Sequence, residues 1–416
     1  MKIFQKFILI LYNAPQTSHT KLKPNMEQDS MNMRQKIFFI NLLPIILISL
    51  NLRAPITAIS PVVDIIKDYY HLNAALTGLL TSLPLLAFGL VSFFVSYFQP
   101  TRALFIGLMC IFIGEILRCI GESAELFIGT AIMGGGIAIA NVLLPSLVKA
   151  KFPHNIPKIM GIYSLVLNLS AALGIALILP LMMILPVPIA LGIWVILAFI
   201  ALISYIPQMK NNRISRPKLK ADSKGSLFAN LNAWKITIFM GLTSTISYGF
   251  FAWYPSFIIS FGYSQSFASQ MMILSHCIII PAAFFIPLLL GSLPNKRRVL
   301  LIGFTCGLYV ISYALLLCSQ QMWVVVFVSI ILGIPVGGVF GIALLFISIK
   351  SSNVQTATKL SAMSQGVGYL LASLSPVIIG RIYDVFHHFT YALIGLMILS
   401  ILLNLIGFLA YKSSQI

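Results

Sequence analysis

Apolar residues run through this chain in long blocks, with polar residues gathered in the gaps between them. The blocks cover 36–60, 76–98, 103–121, 125–149, 158–184 and 187–208, then 235–259, 266–290, 299–318, 321–349, 357–380 and 388–411. Each is long enough to cross a bilayer as a helix, which takes roughly 20 apolar residues with every backbone polar group satisfied internally. The pattern predicts an all-α membrane protein with 12 transmembrane helices. A long polar segment, Lys210 to Lys235, divides them into two sets of six.

The division predicts two halves, 36–208 and 235–411, joined by a cytoplasmic linker over 209–234. Residues 1–35 read as a disordered cytoplasmic tail, because the apolar run Ile8 to Tyr12 is too short for a span or a signal-peptide core. Met26, Met31 and Met33 are equally good starts. Residues 412–416 form a short cytoplasmic tail.

Composition sharpens this picture. The 416 residues are 59% hydrophobic and 9% charged, against about 25% charged in a soluble domain. No soluble surface can be built from so few charges. The net charge of +18 points at first to nucleic acid, but its distribution excludes that partner. With a cytoplasmic N-terminus, all of the 27 Lys and Arg except Arg53, Lys67, Arg118 and Arg381 fall on the cytoplasmic side. Asp64, Asp68, Glu122, Glu125 and Asp384 fall on the outer side. The positive-inside rule accounts for this asymmetry and predicts a multi-pass protein of a bacterial-type inner (plasma) membrane with both termini cytoplasmic. The five cysteines sit singly in apolar stretches, with no CxxC spacing, and read as small buried residues.

A weak internal repeat appears at an offset of about 201 residues. Gly134-Gly135-Gly136 through Lys149 matches Pro335-Val336-Gly337 through Lys350, and Lys158 to Leu173 matches Lys359 to Leu374. One residue out of register, Arg53-Ala54-Pro55 falls on Trp253-Tyr254-Pro255. Two pseudo-symmetric six-helix halves place a solute site at their interface.

Polar residues inside the spans are the candidate chemistry, since an ionised group at the bilayer centre costs at least about 2.5–3.5 kcal/mol on insertion scales. Arg53 is the strongest case. Ser49, Arg53, Thr57 and Ser60 share one helical face, no acid lies in the same span, and Pro55 leaves the Asn51 carbonyl without its helical partner. A planar guanidinium beside loosened backbone suits a small planar or anionic solute. Asn141 and Asn168 lie on faces with small residues. Ser361, Gln365 and Tyr369 form a stripe, and Tyr248 and Trp253 add flat aromatic surface. Taken singly, each amide is as good a link between helices as a cavity lining. Their distribution over spans one, four, five, seven and eleven favours the cavity.

Other groups have plainer readings. Glu115 and Arg118, three apart, read as an intrahelical structural pair. His276 is either a proton carrier or a packing residue. Gly333, Gly337 and Gly341 form a stripe that lets helices approach closely. No phosphate-binding loop, catalytic triad order, zinc-protease motif or metal-ligand cluster stands out. The chain is read as a non-enzyme without cofactor or metal.

These residues also carry a resemblance. The chain resembles the major facilitator superfamily, and within it the cyanate and 2-nitroimidazole transporter family. Its carriers are Asn51-Leu52-Arg53-Ala54-Pro55-Ile56-Thr57, Leu79-Leu80-Thr81-Ser82-Leu83-Pro84, and Gly136-Ile137-Ala138-Ile139-Ala140-Asn141-Val142-Leu143-Leu144-Pro145, followed by Tyr248 to Pro255 and Ser361 to Tyr369. The resemblance implies the major facilitator fold and alternating-access transport of a small solute. It carries Arg53, Asn141 and Gln365 over as solute contacts. It also implies a monomer and makes protons the candidate coupling ion. The loop after span two, Ser96 to Arg102, departs from the superfamily by lacking its acidic residue, whereas Gly291 to Arg298 keeps the glycine and basic run. The leading expectation is secondary active transport of a cyanate-like or nitroimidazole-like solute, with Arg53, Asn51, Asn141, Asn168, Tyr248, Trp253 and Gln365 at the site. Efflux of small toxic compounds and a non-transporting ligand receptor are the alternatives.

Overall fold

A computed structural model of the protein describes residues 38–211 and 227–416. The predicted tail over 1–35 lies outside the described residues, as do positions 212–226 of the predicted linker. The fold is all-α, and no strand occurs among the described residues. Twelve helices are long and apolar enough to span a bilayer. They are α1 (Phe38–Val62), α2 (Ala74–Val95), α3 (Pro100–Arg118), α4 (Ser123–Lys151), α5 (Ile156–Met182), α6 (Val187–Met209), α7 (Leu231–Ser260), α8 (Gln265–Ser292), α9 (Asn295–Cys318), α10 (Met322–Ile349), α11 (Val354–Phe386) and α12 (Thr390–Lys412).

Short polar gaps end these helices and restart them. Side-chain oxygens of Asn73, Ser264 and Asn353 accept the N–H groups of Leu76 (2.8 Å), Phe267 (3.2 Å) and Thr356 (2.8 Å), capping α2, α8 and α11. Pro100 opens α3, where its missing N–H costs nothing. Large apolar side chains such as Leu300, Trp323 and Val377 are exposed on the bundle's flank, as lipid-facing residues are. The start of α1 at Phe38 and the end of α12 at Lys412 lie at one end of the bundle. That end also carries most of the charge and is called the basic end below; the opposite one is the far end.

The first span is not continuous. Helix runs over 38–50, turns over 51–53, and resumes as Ala54–Thr57 before a 3₁₀ turn, Ser60–Val62. Pro55 has no N–H to offer the Asn51 carbonyl. One residue earlier the ladder is opened by a neighbour: the Ser170 hydroxyl of α5 donates to Leu50 O (2.5 Å) and accepts the Ala54 N–H (2.9 Å). A side chain inserted into the i→i−4 ladder is a recognised cause of a kink. α6 is likewise interrupted, between Val187–Gly192 and Val195–Asn211.

Helices α1–α6 and α7–α12 form the two halves. α5 packs on α8, and α2 on α11. The approaches are close: a Cβ on Gly161 would stand 2.7 Å from the Phe284 carbonyl. The stripe of Gly333, Gly337 and Gly341 serves mainly within one half, although Gly341 also meets Ser164 of α5. A Cβ on Gly337 would collide with the Ile279 carbonyl of α8, so this stripe seats α10 on α8.

Contacts between the halves are concentrated toward the basic end. Phe93 meets Gly366, Leu370 meets Gly89, and Pro157 meets Gly291. Lys149 Nζ donates to the Ser348 and Ser351 carbonyls at the end of α10 (2.8 and 2.5 Å), and Ser348 Oγ donates back to Pro145 O (3.0 Å). Among the described residues, the hydrogen bonds joining the halves run from Arg53–Tyr248 down to this lysine, and none lies nearer the far end. There the N-terminal half buries a separate core that includes Ile59, Ile66, Leu80, Leu126, Ile178 and Trp194.

Candidate functional site

The break in α1 sets the site. Arg53 stands at the restart of the helix, with φ −129° and ψ −42°, outside regular helical geometry. Its Nη1 donates to the Tyr248 hydroxyl of α7 at 3.0 Å. The guanidinium carbon lies 5.6 Å from the Tyr248 ring centroid and 5.7 Å from that of Phe340 in α10. Both are cation–π distances. Among the described residues the single ion pair is Glu115–Arg118, so Arg53 has no carboxylate partner. Among the described residues its charge is met by ring faces and the Tyr248 hydroxyl.

Further residues close around this point from both halves. Tyr163 and Tyr369 lie within electrostatic range of the guanidinium. Tyr369 stands edge-on to Tyr248 (6.2 Å) and to Phe88 (5.1 Å). The Tyr163 hydroxyl donates to Asn141 Oδ1 at 3.0 Å. Gln365 Nε2 donates to the Asn141 backbone carbonyl and to Ser361 Oγ, both at 2.8 Å. Helices α1, α2, α4, α5, α7, α10 and α11 thus contribute to one polar and aromatic cluster. Asn141 Nδ2, Gln365 Oε1, Tyr369 OH and Ser164 Oγ are buried with no partner among the described residues. Unmet groups of this kind carry a desolvation penalty of about 1–3 kcal/mol each, which a solute with complementary edges removes. The set offers a cation, an amide N–H and a hydroxyl to an acceptor-rich solute, and a carbonyl oxygen to a donor.

Of the residues singled out in sequence, Arg53, Tyr248, Asn141 and Gln365 come together. The other three have different surroundings. Asn51 is buried and its Nδ2 donates to Leu47 O (2.8 Å) and to Leu197 O of α6 (3.1 Å), so it fastens the broken turn to α6. Asn168 Nδ2 donates to Ser164 O of its own helix at 2.8 Å. The Trp253 indole N–H donates to Pro376 O at 2.9 Å, and its ring packs against Gly380 and Phe389, all in the C-terminal half. Tyr163, Phe340 and Phe88 join the cluster without having been singled out. In a span rich in aromatics only their three-dimensional neighbours distinguish them.

His276 packs rather than faces the cluster: its Nδ1 lies 2.9 Å from Met272 O of its own helix and its ring 5.6 Å from that of Phe251. Glu115 and Arg118 do pair, at 3.1 Å with both side chains fully buried. Arg118 Nη1 also reaches the Pro55 carbonyl at 3.2 Å, a contact outside its own helix. Among the described residues there is no cluster of His, Cys, Asp and Glu fit for a metal ion.

With this geometry in view, comparison with known proteins is informative. Residues 45–376 match the profile of the Major Facilitator Superfamily. The 2-nitroimidazole transporter of Escherichia coli (strain K12) is 32% identical over 379 residues, which covers 89% of this chain and 95% of that protein. The cyanate transport protein CynX of the same organism is 25% identical over 347 residues, covering 80% of this chain and 88% of its own length. Among solved structures, the proton:xylose symporter XylE bound to 6-bromo-6-deoxy-D-glucose superposes with a TM-score of 0.74 at 14% identity, covering 89% of this chain and 94% of the symporter. That likeness is one of fold.

Proposed function

Since the chain belongs to the Major Facilitator Superfamily, in the transporter family that includes relatives named for 2-nitroimidazole and cyanate, we propose that it carries a small anionic or planar polar solute across the membrane by alternating access. The observation that carries this reading is the lone guanidinium of Arg53, held between aromatic rings of the opposite half with no acid beside it. A site that waits with an uncompensated cation favours a solute bringing negative charge or acceptor oxygens. Asn141 Nδ2 and Tyr369 OH add donors, and Gln365 Oε1 accepts from a solute N–H. A nitro-substituted heterocycle carries both acceptor oxygens and an N–H, the chemistry these groups complement, whereas a bare anion has no N–H to offer Gln365 Oε1. The flat rings of Tyr248 and Phe340 suit a planar body.

The distribution of contacts supports the mechanism. The halves are joined from Arg53 to the basic end, which supports a site closed on that side and reached from the other. Rocking of one half against the other would open the basic end in turn. With the basic end cytoplasmic, this is an outward-facing arrangement, and both termini lie inside the cell.

Uptake of labelled cyanate, nitrite, small carboxylates and 2-nitroimidazole into proteoliposomes tests the reading. Saturable uptake of at least one solute is expected from the wild type. Arg53→Gln, which keeps a polar amide and removes the charge, is expected to abolish that uptake while the protein still inserts in the membrane. Normal uptake by Arg53→Gln would remove Arg53 from the solute's path. Loss of preloaded solute from the vesicles in place of uptake would point to efflux.

A further inference from the structure

The buried pair in α3 does more than tie one helix to itself. Glu115 and Arg118 are both fully buried toward the far end of the span. Replacing a buried ion pair by packed apolar residues is often neutral or stabilising, so its presence calls for a purpose beyond stability. The pair is also incomplete. Glu115 Oε2 and Arg118 Nε and Nη2 have no hydrogen-bond partner among the described residues, whereas a guanidinium placed for structure alone has its five N–H groups to satisfy. The one strong acceptor that Arg118 finds outside its own helix is the Pro55 carbonyl, in the broken segment of α1 and two residues beyond Arg53.

We propose that Glu115 is the binding site of a coupled proton and that Arg118 transmits its charge state to the break in α1. The proposal rests on the transport reading above. The titratable groups around Glu115 are few. Its own helix supplies Arg118 and Cys119, and the segment after α1 supplies the buried Tyr70 hydroxyl, which has no partner and is within electrostatic range of Arg118 and Cys119. The faces turned to the pair from α4 and α6 are Gly129, Met133 and Gly192, none of which titrates, and α4 also carries the acid Glu125 one turn before Gly129, its Oε2 buried with no partner among the described residues. When a proton adds to Glu115, the carboxylate becomes a neutral acid and Arg118 remains a cation. Its strongest acceptor is then the Pro55 carbonyl, with the now uncharged carbonyl oxygen of the Glu115 side chain and the Met133 sulfur at 3.4 Å the weaker ones. Protonation therefore draws Arg118 toward α1, and loss of the proton draws it back to α3. Arg53 rides on the segment that is pulled.

The test compares two measurements on the full-length protein in proteoliposomes, using labelled 2-nitroimidazole and cyanate. Exchange of solute at equal pH on both sides reports translocation alone. Accumulation driven by an inward gradient of about one pH unit reports coupling, and one coupled proton permits about tenfold accumulation. Glu115→Gln is expected to exchange like the wild type and to accumulate nothing above equilibrium. Wild-type accumulation by Glu115→Gln overturns the proposal. Absence of exchange by the wild type would instead overturn the transport reading, and the coupling proposal with it. If Glu115→Gln does not reach the membrane, Glu115→Asp decides. Exchange preserved with a displaced pH midpoint of accumulation supports the proposal, and an unchanged pH profile overturns it.

Discussion

Arg53 owes its setting to what is kept away from it. The chain has nine acidic residues, and the one that forms an ion pair among the described residues is committed to Arg118. The Tyr248 hydroxyl is then the group that aims the guanidinium. Tyr248→Phe keeps the ring face and removes that hydrogen bond. A bond to a charged group is worth about 1.5–3 kcal/mol, so a roughly tenfold rise in the KM of uptake is expected at unchanged expression. An unchanged KM would show that Arg53 is oriented by the rings alone. At this scale the sequence was informative where a polar group interrupts apolar surroundings, as Arg53, Asn141 and Gln365 do. Helical periodicity assigned Asn51 and Trp253 to plausible faces, but a face does not name the helix it meets. Asn51 meets α6 and Trp253 meets α11. Tyr163 and Phe340 carried no signal of their own, since an aromatic residue in a spanning helix is ordinarily core or lipid contact.

The elements were the most legible level. Twelve apolar blocks correspond to twelve helices with ends displaced by a few residues, because hydrophobic length is dictated by the bilayer rather than by neighbours. The interruption of α1 was only half visible. Pro55 announced a weak point, but the hydroxyl that enters the ladder belongs to Ser170, distant in sequence and recognisable only once α5 lies beside α1. Ser170→Ala leaves the Ala54 N–H and Leu50 carbonyl without their bridge. A loss of about 1–3 kcal/mol is expected, read as a lower thermal midpoint of the purified protein in detergent together with impaired uptake. A variant with wild-type midpoint and uptake would mean that the ladder recloses and that the break is not needed.

At the scale of the whole molecule, the repeat is used asymmetrically. Lys149 and Lys350 correspond through the internal offset, yet they bind differently. Lys149 crosses to the other half, to the carbonyls ending α10. Lys350 stays in its own half, donating to the Tyr411 and Ser413 carbonyls at the end of α12, and burial lowers its pKa. Its backbone also pairs with Ile416, which in turn binds Ser352, so the last residues lie against the α10–α11 turn. A cation at the negative end of a helix is favourable on both counts. The loop after α2 lacks the acid expected of a closing latch and, among the described residues, forms no ion pair. Lys149 instead ties the two halves together from a different helix. Lys149→Met is expected to raise the population open at the basic end by about tenfold, the equivalent of 1.4 kcal/mol, as seen in the distance between spin labels at the ends of α4 and α10. Identical distance distributions would release Lys149 from that role.

Because the acceptors for Lys149 are main-chain oxygens, the closure has a lopsided genetics. Every residue type in α10 supplies a carbonyl, so no replacement at Ser348 or Ser351 deletes its half of the contact, and no reversal of charge there restores a lost lysine. A screen for second-site revertants of Lys149→Met should therefore return changes that favour the closed packing elsewhere, and neither a compensating acid at the end of α10 nor a replacement of Gly161, Gly291 or Gly366, where an added Cβ would push the halves apart.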